Sequence, residues 1–285
     1  MLRPVLCFLP FALLLAYPCP PEGILSSDRT KCFHVLSLET NFANADKTCG
    51  LFGGYLASIH NQEDKDKIAE RAQADYWLGG RRSNLNAWTW TDKSTWNFTN
   101  WGKMPPENGD FCVIAQCGNG MWQHSDCSTS ASFVCEYCTI PTVARRRRPV
   151  KRGPPPCSGS FLSVEGNRCF ESVGIEADFD SAEDFCLNFG GHLASVHSSQ
   201  DNANLDKFSN DDFFLGGYFN GSWKWKDGST WDYTNWESPT PVQSLDTVVL
   251  AKKTTEKWKL EQSTVQHSFV CQTAAHSVYP GNCYL

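Results

Sequence analysis

Leu56-Ala57-Ser58-Ile59-His60 and Leu193-Ala194-Ser195-Val196-His197 decide the fold, because they are one pentapeptide pattern repeated 137 residues apart with only isoleucine exchanged for valine. Working outward, Cys49 returns as Cys186 at the same offset, and Tyr76-Trp77-Leu78-Gly79-Gly80 returns as Phe213-Phe214-Leu215-Gly216-Gly217. Trp88-Thr89-Trp90-Thr91-Asp92 matches Trp223-Lys224-Trp225-Lys226-Asp227 at 135, and Phe133-Val134-Cys135-Glu136 matches Phe269-Val270-Cys271-Gln272 at 136. An offset that drifts by only two residues describes one domain duplicated with short loop insertions, since solenoid repeats have much shorter periods.

Each copy opens on helical spacing. Ala182, Phe185, Cys186 and Phe189 share one face in the second copy, and Phe42, Ala45, Cys49 and Phe52 do so in the first. Asp180, with Glu183 three residues on, is expected to cap the second copy's helix, and Gly53-Gly54 and Gly190-Gly191 to end the two helices. A polar helix is expected over roughly 61–72 and again over 199–208. The period then changes to two: Trp88 and Trp90 point one way from a strand, as do Trp223 and Trp225. Phe133-Val134-Cys135 reads as a short buried closing strand. Helices first and strands last make each copy an α+β domain. The irregular stretches 101–112 and 236–247 are long enough to be functional loops.

Between the copies, Arg145-Arg146-Arg147-Arg148-Pro149-Val150-Lys151-Arg152 followed by Gly153 and three prolines forms an extended linker. Its six cations sit within a chain of net charge −6, so the remainder carries −12, which argues against nucleic acid as a partner. The expected segments are a signal peptide (1–18), a first domain (19–138), the basic linker (139–156), a second domain (157–273) and a tail (274–285). Met1-Leu2-Arg3 followed by an apolar run over 5–15 has the form of a secretory signal too short to anchor in a bilayer. Fourteen cysteines suit the same oxidising route. Asn97-Phe98-Thr99 and Asn220-Gly221-Ser222 are glycosylation sequons available only there. The chain is expected to be secreted, with no transmembrane anchor.

The ordered set of helix cysteine, "LASIH"/"LASVH", "YWLGG"/"FFLGG", paired tryptophans and "FVCE"/"FVCQ", present twice, resembles the C-type lectin-like domain. That resemblance implies a disulfide-stapled double-loop α+β domain whose long loop carries the binding site. It further implies the bridges Cys49–Cys135 and Cys186–Cys271 from first helix to last strand, Cys112–Cys127 at the base of the first long loop, and the N-terminal hairpin bridges Cys19–Cys32 and Cys157–Cys169. Thr247 and Ser263 then stand where copy two lacks the loop bridge. Cys7 leaves with the signal, and Cys117, Cys138 and Cys283 remain, an odd number that leaves a disulfide-linked oligomer open.

Family members that bind calcium use a loop triplet with a cis proline and a Trp-Asn-Asp triplet on a later strand. Copy one instead has Trp122-Gln123-His124, with Glu107, Asn108 and Asp110 in its loop. Those three and Gln123 could supply oxygens, but His124 offers nitrogen, a poor partner for calcium. Copy two has Trp258-Lys259-Leu260 and one loop carboxylate, Glu237, so calcium is not expected there. No cofactor is expected, and only copy one leaves calcium open. Trp101 and Trp236, at the loop entrances, are the tryptophans to test for ligand contact, although a core role fits them better, and His60 and His197 read as structural. The implied function is secreted recognition of glycans or glycoproteins without the usual calcium site, with host defence as a role typical of such tandem lectins. The competing reading is a protein-binding or structural module that has lost sugar binding. Catalysis is not expected: no Gly-x-Ser-x-Gly, His-Glu-x-x-His or phosphate-cradling glycine loop occurs.

Overall fold

The computed structural model describes residues 19, 22–83, 87–139, 157, 161–238 and 245–275. The signal segment, nearly all of the basic linker and the C-terminal tail beyond residue 275 lie outside these residues. The first domain runs β1 (Ile24–Leu25), β2 (Lys31–Thr40), α1 (Phe42–Leu51), β3 (Tyr55–Leu56), α2 (Gln62–Arg71), β4 (Tyr76–Arg82), β5 (Thr89–Trp90), β6 (Phe111–Ala115), β7 (Trp122–Ser125) and β8 (Ala131–Cys138). The second runs β9 (Phe161–Leu162), β10 (Arg168–Ala177), α3 (Phe179–Asn188), β11 (His192–Leu193), α4 (Ser199–Phe208), β12 (Phe213–Phe219), β13 (Trp223–Trp225), β14 (Thr247–Ala251), β15 (Trp258–Gln262) and β16 (His267–Ala274).

Both sheets have one topology. The order is β1-β2-β8-β4-β6-β7 in the first and β9-β10-β16-β12-β14-β15 in the second. The closing strand lies antiparallel to the opening one (His34 opposite Cys135) and parallel to β4 (Trp77 opposite Phe133). A strand that runs from Ala131 to Cys138 buried on nearly every residue is the centre of the sheet, which explains why Phe133-Val134-Cys135 reads as buried. The second closing strand extends to Ala274, which pairs with Arg168.

The helix ends are set by local chemistry. Asn41 caps α1 by accepting from the Asn44 amide, and Asp178 caps α3 by accepting from the Ser181 amide. The cap of α3 is therefore Asp178 and not Asp180. An N-cap needs extended backbone, and Asp178 has it (φ −67°, ψ 163°), whereas Asp180 already lies in the first turn. Glu183 does not reach back to the cap; its carboxylate accepts from the Leu193 amide at 2.8 Å and meets His192 at 2.6 Å. Gly53 and Gly190 take the left-handed conformation that stops each helix (φ 77° and 69°). The glycines after them serve a different end: a Cβ on Gly54 or Gly191 would collide with the carbonyl oxygen of Glu136 or Gln272 on the closing strand.

Disulfides join Cys19–Cys32, Cys49–Cys135, Cys112–Cys127, Cys157–Cys169 and Cys186–Cys271. The helix-to-strand bridges span 86 and 85 residues. In the chain-entropy account, closing loops of that length is worth about 4.5 kcal/mol each. Cys138 is also disulfide-bonded, which removes it from the thiols left over for joining a second chain. Cys117 is free and exposed, and Cys283 lies outside the described residues. The sheet register also corrects the position of the missing bridge. Cys112 sits opposite Arg81 and Ser125; its counterpart opposite Tyr218 and Glu261 is Val248, not Thr247. Ser263 does match Cys127: each carbonyl accepts from the first amide of its domain's first helix. The second domain thus replaces half a disulfide with a buried valine that packs in the same core.

The two domains meet through their first helices. Helix α1 packs on β10 and α3 on β2. Phe52 stacks on Phe189, its own repeat counterpart, with ring centroids 3.6 Å apart and 12° between planes. A contact of each element with its own equivalent is the geometry of a two-fold dimer, here built within one chain. His34, 2% exposed, packs against Tyr137 and Phe189 beside this contact. Burial with no partner for either nitrogen lowers its pKa to about 4, so it is neutral. Because β2 and β10 face this contact, the strands that carry the long loops lie at the far edge of each sheet.

Candidate ligand-binding face

In the first domain the face is built around Trp122, which is fully buried at the start of β7. Trp90, Trp96 and Trp101 pack around its ring, with centroids 5.6 Å away in each case. Trp101 bridges to Trp122 through the backbone, and Trp88, Trp96 and Trp101 stay half-buried, so the core reaches the surface as an aromatic rim. Trp236 and Trp258 repeat the arrangement at 5.7 Å. Both loop-entrance tryptophans therefore pack on the core with one face outward.

Beneath the strands, each domain ties its "LAS" segment down with a polar network. In the first, the Lys31 ammonium donates to Ser58 Oγ (2.8 Å), Glu136 Oε1 (2.8 Å) and Asp92 Oδ2 (3.1 Å). In the second, Arg168 reaches Ser195 Oγ (2.9 Å) and Gln272 Oε1 (3.1 Å), with Asp227 bonded to Ser195. His60 and His197 complete these networks through hydroxyls of Ser58 and Ser94, and of Ser195 and Ser229. They are structural. His60 Nδ1 also meets the side-chain oxygen of the sequon residue Asn97 at 2.7 Å; Asn97 and Asn220 are both exposed.

The long loop of the first domain is held by Arg82, a residue that sequence reading passed over. It is only 8% exposed, donates to the Pro106 carbonyl at 2.7 Å, and places its guanidinium 5.0 Å from the Trp88 ring and 5.7 Å from that of Phe111. Its counterpart Phe219 packs on Trp223 in the same way, so the second domain uses an apolar side chain where the first buries a charge.

The candidate residues separate in space. Gln123 and His124 follow Trp122 on β7 and line a shallow groove with Gly102, Lys103, Gln116 and Met121. Glu107, Asn108 and Asp110 are exposed on the loop and are not part of that lining. Burial, Lys103 and Arg82 together hold the His124 pKa below its usual value, so the local potential is positive. Among the described residues there is no cis peptide bond, and no group of three His, Cys, Asp or Glu side chains is close enough to hold a metal. A hard divalent cation needs several converging oxygens. The residues of this face do not fit calcium: they bring two cationic side chains and an imidazole toward the strand position where oxygens would be required. In the second domain Lys259 pairs with Glu261 at 3.1 Å, Glu237 with Lys252 at 3.0 Å, and Leu260 stands in place of His124. Residues 239–244 of that loop lie outside the described residues.

The "Lectin C-type domain" family model matches this chain twice, over residues 38–137 and 175–273. The secretory phospholipase A2 receptor of Bos taurus is 21% identical over 309 aligned positions, covering 94% of this chain and 21% of the receptor. A C-type lectin receptor-like tyrosine-protein kinase of Arabidopsis thaliana is 27% identical over 138 positions, 41% of this chain and 25% of the kinase. The chain thus spans about a fifth to a quarter of these larger relatives. The type-2 ice-structuring protein of Hemitripterus americanus is 31% identical over 125 positions, 41% of this chain and 73% of that protein. Among solved structures, a calcium-independent type II antifreeze protein matches with 25% identity and a TM-score of 0.39, covering 43% of this chain and 95% of its own. With the family's domain matched across both halves and one sheet order built twice, the chain belongs to the C-type lectin domain family and carries two of its domains in tandem.

Proposed function

We propose that the chain is a secreted recognition protein that binds glycans or glycoproteins through its long-loop faces without calcium. The observation that carries this reading is the Arg82-anchored loop, which holds a preformed, donor-rich face beside Trp101. A face ordered by a buried cation–π contact is organised before its ligand arrives, which lowers the cost of binding. Support for the extracellular route comes from five described disulfides and two exposed sequon asparagines. No helix among the described residues is long and apolar enough to cross a membrane. Binding rather than catalysis is supported by the titrating groups: the most displaced carboxyls, Glu136 and Asp92, are committed to Lys31 and Ser58 in the core. A glycan array probed with full-length chain, with and without chelator, tests the reading. Signals that persist in chelator support it. A blank array under both conditions moves the function to protein ligands, which the exposed Met104 and Met121 beside the groove would suit.

A further inference from the structure

We infer that the groove between the long loop and β7 of the first domain binds the acidic group, carboxylate or sulfate, of a charged saccharide, with Lys103 as the charge partner. This deepens the glycan-recognition reading above and rests on it. The groove is lined by Gly102, Lys103, Gln116, Met121, Gln123 and His124. Every polar side chain in that set can donate a hydrogen bond, and none is a carboxylate. Lys103 is exposed and has no ion-pair partner among the described residues. Arg82 adds a second, permanent charge from behind. Being 8% exposed and bound to Pro106, it shapes the field without touching a ligand. A low-dielectric aromatic backing strengthens that field where the groove opens. The second domain provides the internal contrast. It has Phe219 for Arg82, Leu260 for His124, and lysines 252 and 259 already paired with Glu237 and Glu261. The pairing of an exposed Lys103 with a buried Arg82 is therefore particular to the first domain, whereas an exposed lysine of the second, Lys257, is bonded to Asn235.

The test is calorimetric titration of the full chain at low salt with 3′-sialyllactose, with lactose 3′-sulfate and with lactose. Lys103→Ala, Lys103→Arg and, as a control on a half-buried α2 lysine outside the groove lining, Lys67→Ala are titrated in parallel. The expected result is about tenfold tighter binding of one or both charged sugars than of lactose, as a charge-assisted hydrogen bond provides. Lys103→Ala should remove that preference, Lys103→Arg should keep it, and Lys67→Ala should not change it. The two sugars tell carboxylate from sulfate. The basic linker and the other exposed lysines are present in every variant, so a charge preference that survives Lys103→Ala lies outside the groove and overturns its assignment. Binding of lactose equal to that of the charged sugars overturns the groove assignment but leaves glycan recognition intact. Failure to bind any glycan, here and on the array, overturns both.

Discussion

Replacing Glu136 by glutamine tests how the first domain is held together. Glu136 lies at the end of the closing strand, 2% exposed, where its carboxyl accepts from Lys31 Nζ and from the Ser58 amide, both at 2.8 Å. Burial raises its pKa from 4.5 to about 8, with Lys31 opposing and Asp92 reinforcing the shift. A carboxyl with a higher pKa folded than unfolded contributes stability that is complete below pH 4.5 and fades as pH rises through 8. At about 1.4 kcal/mol per pH unit, that contribution is at most about 5 kcal/mol. Glutamine cannot ionise, and the second domain shows that it fits. Gln272 there accepts from the Ser195 amide at 2.9 Å and from Arg168, and donates to Asp227. Glu136→Gln should therefore cost no more than about 1 kcal/mol at pH 5. Above pH 8 it should melt higher than wild type, by on the order of 10 °C for a domain of this size. Scanning calorimetry of both proteins from pH 5 to 9 reads this directly. Parallel pH profiles, or a loss of more than about 3 kcal/mol at pH 5, would refute the role given to this carboxyl.

Other outcomes follow from the same geometry. Lys31→Met leaves two carboxyls sharing a site without their cation and should destabilise the first domain by about 3–5 kcal/mol, measured by urea unfolding. Trp122→Ala removes the ring on which three other tryptophans pack and should cost about 3–5 kcal/mol, with loss of near-ultraviolet circular dichroism in the first domain. In NMR titration His124 should protonate below the ordinary 6.5, and Lys103→Ala should move its midpoint upward, because the ammonium is one cause of the depression. Cys117, the free thiol among the described residues, should react with maleimide in the native chain.

The parts of the fold visible in sequence are those carried by local pattern. The stripe of Phe42, Ala45, Cys49 and Phe52 marked α1, and paired glycines marked its end, because spacing and backbone freedom act over a few residues. Sequence and structure part where a position depends on neighbours distant in sequence. Asp178 and Asp180 are both plausible caps until backbone angles separate them. The residue matching Cys112 could not be fixed while the repeat offset drifted between 135 and 137; β-sheet register places Val248 there. Arg82 was invisible for the same reason. Its partners Trp88, Pro106 and Phe111 come from three separate segments, and no motif announces a guanidinium packed between them. The one available signal was the asymmetry of the repeat, arginine against Phe219. Among the candidate site residues, Gln123 and His124 line the groove, whereas Glu107, Asn108 and Asp110 are exposed on the loop and outside that lining.

The proposed face carries the protein's own positive charge, Lys103 with Arg82 behind it, where calcium-binding lectins hold a cation. Equilibrium dialysis of the full-length, disulfide-intact chain against calcium measures this most directly. The expected result is no saturable binding in the millimolar range, with the same melting temperature in calcium and in chelator. One or two ions bound per chain, with a rise in melting temperature, would contradict it.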